Sequence, residues 1–202
     1  MTDHTHGAWT GWKARTYSLL HRNPASSRAV AGWARLRPDM RVLDVGCGAG
    51  AAAITAAPLL DEGSVFGIDP SADFVRIAGR RARRLGNVSF RVASAEEMPF
   101  PADRFDVAWS VHSTHHWHDL KAGLAEVRRV LRPGGRFLVV ERSDADRPWG
   151  ISPEHAQMLA NLLTGLGFVG ATVEEQTLGR ATEYLITGEV PGPDDDLPSS
   201  TD

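Results

Sequence analysis

The chain has 202 residues, of which 42% are hydrophobic and 23% are charged, and its formal net charge at pH 7 is -3. This length and composition fit one α/β domain with an ordinary hydrophobic core. The acidic balance gives no overall attraction to nucleic acid or to acidic membranes, so we expect neither class of partner.

The chain contains a single cysteine, Cys47, so an intramolecular disulfide is excluded and a reducing compartment is favoured. Its first ten residues are polar and include no hydrophobic segment of the signal-peptide type. The longest apolar stretch, 49–60, is too short to span a bilayer. We therefore expect a cytoplasmic protein without a membrane span.

The N-terminal region, 1–24, is predicted to form an arm and a short amphipathic helix. A second helix is predicted to be capped by Ser26 or Ser27 and to end near Leu36, because Pro38 follows. Two roles are open for this region: it packs on the edge of a sheet, or its first helix covers a substrate pocket.

Strands and helices then alternate, which implies right-handed crossovers and a largely parallel sheet with both faces covered. The predicted strands are 41–46, 64–69, 88–93, 105–110, 136–141, 169–177 and 182–187. The predicted helices are 50–60, 71–85, 119–131 and 153–166. The short connection 178–180 makes the last two strands an antiparallel hairpin. Residues 190–202 are rich in Pro, Gly, Asp and Ser and are predicted to form a disordered acidic tail.

A glycine-rich turn joins the first strand of this alternation to its first helix. Gly46, Gly48 and Gly50 follow the aliphatic run 42–45, an arrangement typical of nucleotide-binding βα units. Glycine tolerates positive φ and has no Cβ, so a ligand can approach the backbone closely. Asp69 ends the second strand, 19 positions after Gly50, where a carboxylate can accept hydrogen bonds from both hydroxyls of a ribose. The two features together indicate an adenosine-type ligand.

Five segments resemble, in order and spacing, the motifs of class I S-adenosylmethionine (SAM)-dependent methyltransferases, in particular a small-molecule type 11-like subgroup. They are 42–50, 68–71, 95–100, 104–108 and 130–135. The resemblance implies a Rossmann-like, doubly wound α/β domain over residues 25–189. Its seven-stranded sheet should be mostly parallel with an antiparallel C-terminal strand, and its cofactor should be S-adenosyl-L-methionine.

The resemblance also places the cofactor against the glycine loop and the segments that follow the second, third and fourth strands. The implied cofactor-binding residues are Asp44, Gly46, Cys47, Gly48, Gly50, Asp69, Pro70, Ser94, Ala95, Glu96 and Ser110. Asp44 lies near the methionine end of the cofactor in the family, the alternative being a hydrogen bond within the glycine turn. Ser94 stands where the family often has an aspartate that binds the adenine amino group, and hydroxyl oxygen is a weaker acceptor.

Four histidines fall in the segment 110–119 that follows the fourth strand. A metal site, an acceptor pocket with a catalytic base, and a structural loop are the three interpretations. The spacing suits a loop better than a ligand set, so no metal is predicted. His115 and His116 are the candidate bases, because imidazole titrates near neutral pH. Asp119 is predicted to cap the following helix.

The leading hypothesis is transfer of the sulfonium methyl group to a small-molecule acceptor by in-line displacement. The alternatives are a nicotinamide oxidoreductase, disfavoured because the chain lacks G-x-G-x-x-G, a non-catalytic SAM-binding module, and a methyltransferase acting on RNA or protein. The arginines between 76 and 84 are interpreted as a solvated helix face rather than a nucleic-acid surface. The acceptor atom (O, N, C or S) and the oligomeric state are left open.

Overall fold

The computed structural model describes residues 25–143 and 150–192. The arm and helix predicted in 1–24, the loop 144–149 and the part of the predicted tail from 193 to 202 lie outside the described residues.

The order of elements along the described chain follows the predicted alternation. The helices are α1 Ala25–Trp33, α2 Ala51–Ala56, α3 Ala72–Arg81, α4 Leu120–Val130 and α5 Pro153–Gly165. The strands are β1 Arg41–Val45, β2 Ser64–Asp69, β3 Val88–Val92, β4 Phe105–Val111, β5 Leu131–Arg142, β6 Val169–Leu178 and β7 Ala181–Glu189. Short 3-10 turns lie at Ala57–Leu59 and Thr114–His116.

The seven strands of the described residues form one sheet in the order β3-β2-β1-β4-β5-β7-β6. The first five strands pair in parallel, whereas β7 runs antiparallel to both β5 and β6. The predicted fold is confirmed, including the insertion of the last strand between two earlier ones. Strand order reverses between β1 and β4, and ligands of such sheets bind at the carboxyl ends of the strands beside the reversal.

Helices cover both faces of the sheet. One face packs its aliphatic and aromatic side chains against the apolar sides of α4 and α5, and the other packs against α1 and α2. The inner side chains of α4 are Leu124, Val127 and Val130, all fully buried. None of the described helices is long and apolar enough to cross a lipid bilayer.

Three predicted helix boundaries were wrong. The helix predicted over 50–60 divides into α2 and a 3-10 turn, because Pro58 has no backbone N–H for the helical hydrogen bond. The helix predicted over 71–85 ends at Arg81, and the chain turns toward β3. Ser26 and Ser27 are not caps: they lie inside α1, which begins at Ala25 and buries both of them.

Two expectations near the end of the sheet were also wrong. β5 begins well before residue 136, and its pairing with β4 shifts register between Phe105 and Val107. The predicted tail does not include Val190, which is buried and still paired. Its N–H donates to the Gly135 carbonyl at 2.8 Å, and its carbonyl accepts from the Gly134 N–H at 2.9 Å. The antiparallel course of β7 brings Val190 to this turn.

The packing of α4 on the sheet generates a matched stability test. Leu124→Ala should lower the free energy of unfolding by about 2–5 kcal/mol, because Leu124 is 0% exposed and a cavity would remain. Leu59→Ala is the control, since Leu59 is 51% exposed and its loss should cost less than about 1 kcal/mol. Urea unfolding of both variants measures the difference, and equal losses would contradict the packing described.

Candidate functional site

The glycine loop after β1 is attached to the end of β2. Gly46, Gly48 and Gly50 all have positive φ, at 71°, 52° and 78°. The N–H groups of Gly46 and Cys47 both donate to the carbonyl of Ile68, each at 2.9 Å. The loop is therefore held at the carboxyl edge of the sheet, as the sequence predicts.

Close packing beneath the loop explains why glycine is required at Gly67 and gives a second reason for glycine at Gly50. A Cβ at Gly67 would lie 2.5 Å from Cδ1 of Phe90 and 2.9 Å from Sγ of Cys47. A Cβ at Gly50 would lie 2.7 Å from Cζ of the same Phe90 ring. Phe90 supports the loop from below, a role that was not predictable from local sequence because it depends on the pairing of β3 with β2.

Asp69 joins the glycine loop to the turn that follows β2. Its Oδ2 accepts from the Gly48 N–H and its Oδ1 accepts from the Ser71 N–H, both at 2.9 Å. Burial raises the pKa of the Asp69 carboxyl, and the two backbone hydrogen bonds offset part of that rise. Each carboxylate oxygen has a second lone pair, so the group can still accept from two ligand hydroxyls.

Asp44 lies deeper than Asp69 and contacts the start of α2. Its side chain is buried, and its Oδ2 accepts from the Ala53 N–H at 3.1 Å. This bond secures the first turn of α2 rather than the glycine turn. Burial raises the pKa of Asp44 to about 7, so the carboxyl changes charge near neutral pH.

The segment after β3 contacts the start of α4 through Glu96. Its Oε1 accepts from the N–H groups of His118 and Asp119, at 2.7 and 3.1 Å. Burial acts to raise the pKa of Glu96, but these hydrogen bonds outweigh it and hold the pKa below its usual range. Ser94 and Ala95 precede Glu96, so the three predicted cofactor residues lie between the end of β3 and the loop before α4.

An ion pair on α4 fixes the same segment further along. Glu126 accepts the Met98 N–H at 2.9 Å, while Arg129 donates to the carbonyls of Met98 and Phe100 at 3.2 and 2.8 Å. Glu126 and Arg129 also pair with each other, at 2.6 Å. Met98 itself is buried in the core. The segment is thus held through its backbone at both ends.

The loop after β4 touches the glycine loop through Ser113. A Cβ at Gly46 would lie 1.7 Å from Oγ and 2.6 Å from Cβ of Ser113, so the two loops are in direct contact. Oγ of Ser113 accepts from Nε1 of Trp117 at 3.1 Å. Asp119 caps α4 by accepting the Ala122 N–H at 3.0 Å, which confirms its predicted role.

Ser110 and Pro70 complete the predicted set. Oγ of Ser110 is buried and has no hydrogen-bond partner within residues 25–143 and 150–192. Pro70 is exposed at the turn after Asp69. The predicted cofactor residues therefore all lie at or beside the carboxyl ends of β1 to β4.

The two candidate bases lie in the 3-10 turn of the loop after β4. The rings of His115 and His116 are 4.1 Å apart, and Nδ1 of His115 lies 3.1 Å from Oε2 of Glu141 on β5. His112 Nε2 lies 2.7 Å from Oε2 of Glu183 on β7. Within the described part of the chain, no three His, Cys, Asp or Glu side chains come together as a possible metal site.

The two glutamates were not predicted from the sequence. Glu141 carried a recognisable signal, since an acidic residue follows a run of buried aliphatic residues at the end of a strand. Glu183 carried none, because its position depends on the insertion of β7 beside β5.

The contact between the two loops predicts a large effect at Gly46. Gly46→Ala should add roughly 1–3 kcal/mol of overpacking against Ser113 to the backbone cost of positive φ. Gly48→Ala is the matched control, because its Cβ would meet nothing within 4 Å and only about 1–2 kcal/mol of backbone strain is expected. Denaturant unfolding measures both losses of stability, and a control as damaging as Gly46→Ala would argue against the loop contact.

The buried Asp44 predicts a pH dependence of stability. Its pKa is raised in the folded state, to about 7, so its contribution is greatest at acidic pH and is lost as pH rises through that value. Between about pH 5 and about pH 8 the wild type should lose about 2–3 kcal/mol of unfolding free energy relative to Asp44→Asn. Urea titrations of both proteins at the two pH values measure this, and parallel curves would refute the assignment.

A comparison with known proteins identifies the domain. Residues 43–139 match the family model described as a methyltransferase domain, of type 11. The uncharacterized methyltransferase YcgJ of Bacillus subtilis is 38% identical over 117 residues, which are 57% of this chain and 46% of YcgJ. The 27-O-demethylrifamycin SV methyltransferase of Amycolatopsis mediterranei is 35% identical over 152 residues, 74% of this chain and 54% of that enzyme.

The chain spans about half the length of these two curated relatives. A SAM-dependent methyltransferase from Aquifex aeolicus has the same fold, with a TM-score of 0.72 and 21% identity over 89% of this chain and 97% of that one. The glycine loop, the acidic end of β2, the inserted antiparallel β7 and the matched domain agree with one another. Residues 43–139 therefore form a methyltransferase domain of the type 11 kind, and the chain has the fold of a SAM-dependent methyltransferase.

Proposed function

We propose that this protein transfers the methyl group of SAM to a small-molecule acceptor at the carboxyl edge of the sheet. The observation that carries the proposal is the position of the Asp69 carboxylate. It is fixed by the N–H groups of Gly48 and Ser71, at the end of β2 and directly beside the glycine loop. A carboxylate so placed suits the two hydroxyls of an adenosine ribose.

The residues at this edge fit the cofactor of the family. Space is open above Gly48, where an added Cβ would meet nothing within 4 Å, so a ligand can lie against the bare backbone. Ser110 offers a buried hydroxyl that has no partner in the described parts of the chain. Asp69 would hold the ribose, Ser94 and the Ala95 N–H the adenine, and Asp44 with the loop the methionine end.

The bound cofactor would supply an electrophilic methyl group on a positively charged sulfur. The task of the protein is then to align the acceptor with that methyl group and to exclude water. Alignment of this kind can lower the barrier by roughly 7–11 kcal/mol. The contact between Ser113 and Gly46 places the loop after β4 against the glycine loop. The loop after β4 would therefore lie between the bound cofactor and the methyl acceptor.

His115 and His116, in the loop after β4, are the proposed catalytic bases. Their rings pack together in the 3-10 turn that follows β4, and His115 is held by Glu141 from the neighbouring strand. Imidazole can accept a proton near neutral pH. A base contributes when the acceptor loses a proton during methyl transfer.

A small molecule is the acceptor class that the relatives favour. The relative from Amycolatopsis mediterranei is named for 27-O-demethylrifamycin SV, which is not a macromolecule. The net charge of -3 gives no general attraction to nucleic acid, which speaks against RNA as the acceptor. A cytoplasmic location belongs to the same proposal and is supported by the single cysteine.

The ribose role of Asp69 gives the decisive test. Asp69→Asn keeps the shape of the side chain but removes its charge and one acceptor oxygen. Hydrogen bonds to a charged group contribute roughly 1.5–3 kcal/mol each, so affinity for S-adenosylhomocysteine should fall more than about tenfold in calorimetric titration. Affinity for the 2′,3′-dideoxy analogue should change far less, because that ligand has no ribose hydroxyls.

A second aspartate controls for charge. Asp61 is exposed, so Asp61→Asn should leave both affinities as in the wild type. Equal weakening of the two ligands by Asp69→Asn would show loop distortion rather than ribose binding. Wild-type protein that binds neither ligand would overturn the proposed function.

A further inference from the structure

Two buried carboxylates hold the histidine loop from neighbouring strands. Glu141 near the end of β5 is 0% exposed, and Glu183 near the start of β7 is 2% exposed. Glu141 reaches Nδ1 of His115, whereas Glu183 reaches Nε2 of His112. Each carboxylate therefore binds a different nitrogen of its histidine, which gives the two rings different chemistry.

The charge of Glu141 decides which nitrogen of His115 carries the proton. Its Oε1 accepts from the backbone N–H of Thr114 at 3.0 Å and from the Thr114 hydroxyl at 2.5 Å. Burial acts to raise the pKa of Glu141, but the hydrogen bonds and the charge interaction with His115 outweigh it, so the net pKa is lowered. An ionised carboxylate only accepts, so Nδ1 of His115 must be the donor, and the lone pair of the neutral ring lies on Nε2.

The second pair holds the turn that leads to His115. His112 has a φ of +53°, a left-handed conformation that is uncommon outside glycine. Its backbone N–H donates to the Val140 carbonyl at 2.8 Å, and its ring is bound to Glu183. Two contacts from adjacent strands thus stabilise a backbone that turns the chain from β4 toward Glu141. A carboxylate can only accept, so a neutral His112 bound through Nε2 to Glu183 would keep its lone pair on Nδ1.

We propose that Glu141 is a positioning residue that holds His115 with a basic Nε2, and that the methyl acceptor is a hydroxyl oxygen. This inference rests on the proposed function and deepens it. As the acceptor oxygen forms its bond to the methyl carbon, the methyl–sulfur bond breaks and its electron pair stays on sulfur. The hydroxyl proton passes to Nε2 of His115. The products are a methyl ether, S-adenosylhomocysteine and an imidazolium that later releases its proton to solvent.

The charges around the loop favour a hydroxyl over an amine or a carbon acid. A neutral amine attacks without losing a proton first, so an oriented base is not needed for it. A carbon acid would build an enolate, and the nearby carboxylates Glu141 and Glu183 oppose that negative charge. Proton loss from a hydroxyl in step with methylation builds no net negative charge, so it is compatible with both carboxylates.

The tautomer of His115 can be measured without a methyl acceptor present. Long-range proton–nitrogen NMR correlation of the wild-type protein should show the proton on Nδ1 of His115 and on Nε2 of His112. In Glu141→Gln the side-chain oxygen should stay on the Thr114 donors, so the amide NH2 would face His115. Its Nδ1 must then accept, and the proton should move to Nε2. His115→Ala assigns the resonance.

Glu183→Gln is the matched control, since it neutralises the other buried carboxylate. It should change the His112 signals and leave the His115 tautomer as in the wild type. Calorimetric titration with S-adenosylhomocysteine should give wild-type affinity for both glutamine variants. A wild-type His115 protonated on Nε2, with the ligand still bound, would overturn this inference and leave the proposed function standing. If the wild-type protein does not bind S-adenosylhomocysteine, the proposed function is overturned instead.

The acceptor atom is tested with trideuteromethyl SAM and two matched probes, 1-naphthol and 1-naphthylamine. The label should appear on the naphthol oxygen, and kcat should fall by about 100-fold or more in Glu141→Gln and His115→Ala with KM little changed. Label on nitrogen or on a ring carbon would overturn the hydroxyl assignment.

Discussion

The hydrogen bond from the Gly48 N–H to the carboxylate of Asp69 is the contact on which the site depends. It joins the turn after β1 to the end of β2, and the Ser71 N–H completes the arrangement on the other carboxylate oxygen. The bond requires a loop of positive φ angles, which only glycine adopts without strain, and it requires parallel strands that end at the same edge. A carboxylate is buried there at a cost in desolvation, and backbone donors offset that cost.

The remaining walls of the site are fixed by the same means, with side chains that bind backbone groups across elements. Glu96 holds the start of α4, and the pair Glu126–Arg129 holds the segment after β3. Glu141 holds the turn at Thr114 from β5. Because each bond joins segments distant in sequence, the loops around the site are placed by the folded sheet and its helices rather than by their own conformational preferences.

Buried acidic groups give the site its electrostatic character. Asp44, Asp69, Glu141 and Glu183 are all less than a tenth exposed. A sulfonium cofactor with an α-ammonium group carries positive charge, so a site of this kind suits it better than an anionic ligand. The proposed orientation of His115 adds a specific function to one of these carboxylates.

Much of the cofactor edge was predictable from local pattern. The aliphatic run before Gly46, the spacing of the glycines and the acidic end of β2 are short-range signals, and Asp119 as a cap is likewise local. Boundaries were less predictable, because Pro58 interrupts a helical pattern and because β5 gains length by pairing with β4 before its main run. Phe90 beneath the glycine loop gave no signal, since its role depends on which strand lies next to β2.

The amino-acid sequence by itself determined the strand–helix alternation, the glycine turn and the acidic residue that follows the second strand. These features follow from backbone preferences and from hydrophobic periods of a few residues, which local sequence encodes. Only the tertiary structure decided that Ser113 packs on Gly46, that Glu141 binds His115, and that β7 brings Glu183 to His112. Those partners are separated by 67, 26 and 71 positions, and only the strand order of the sheet determines which of them meet.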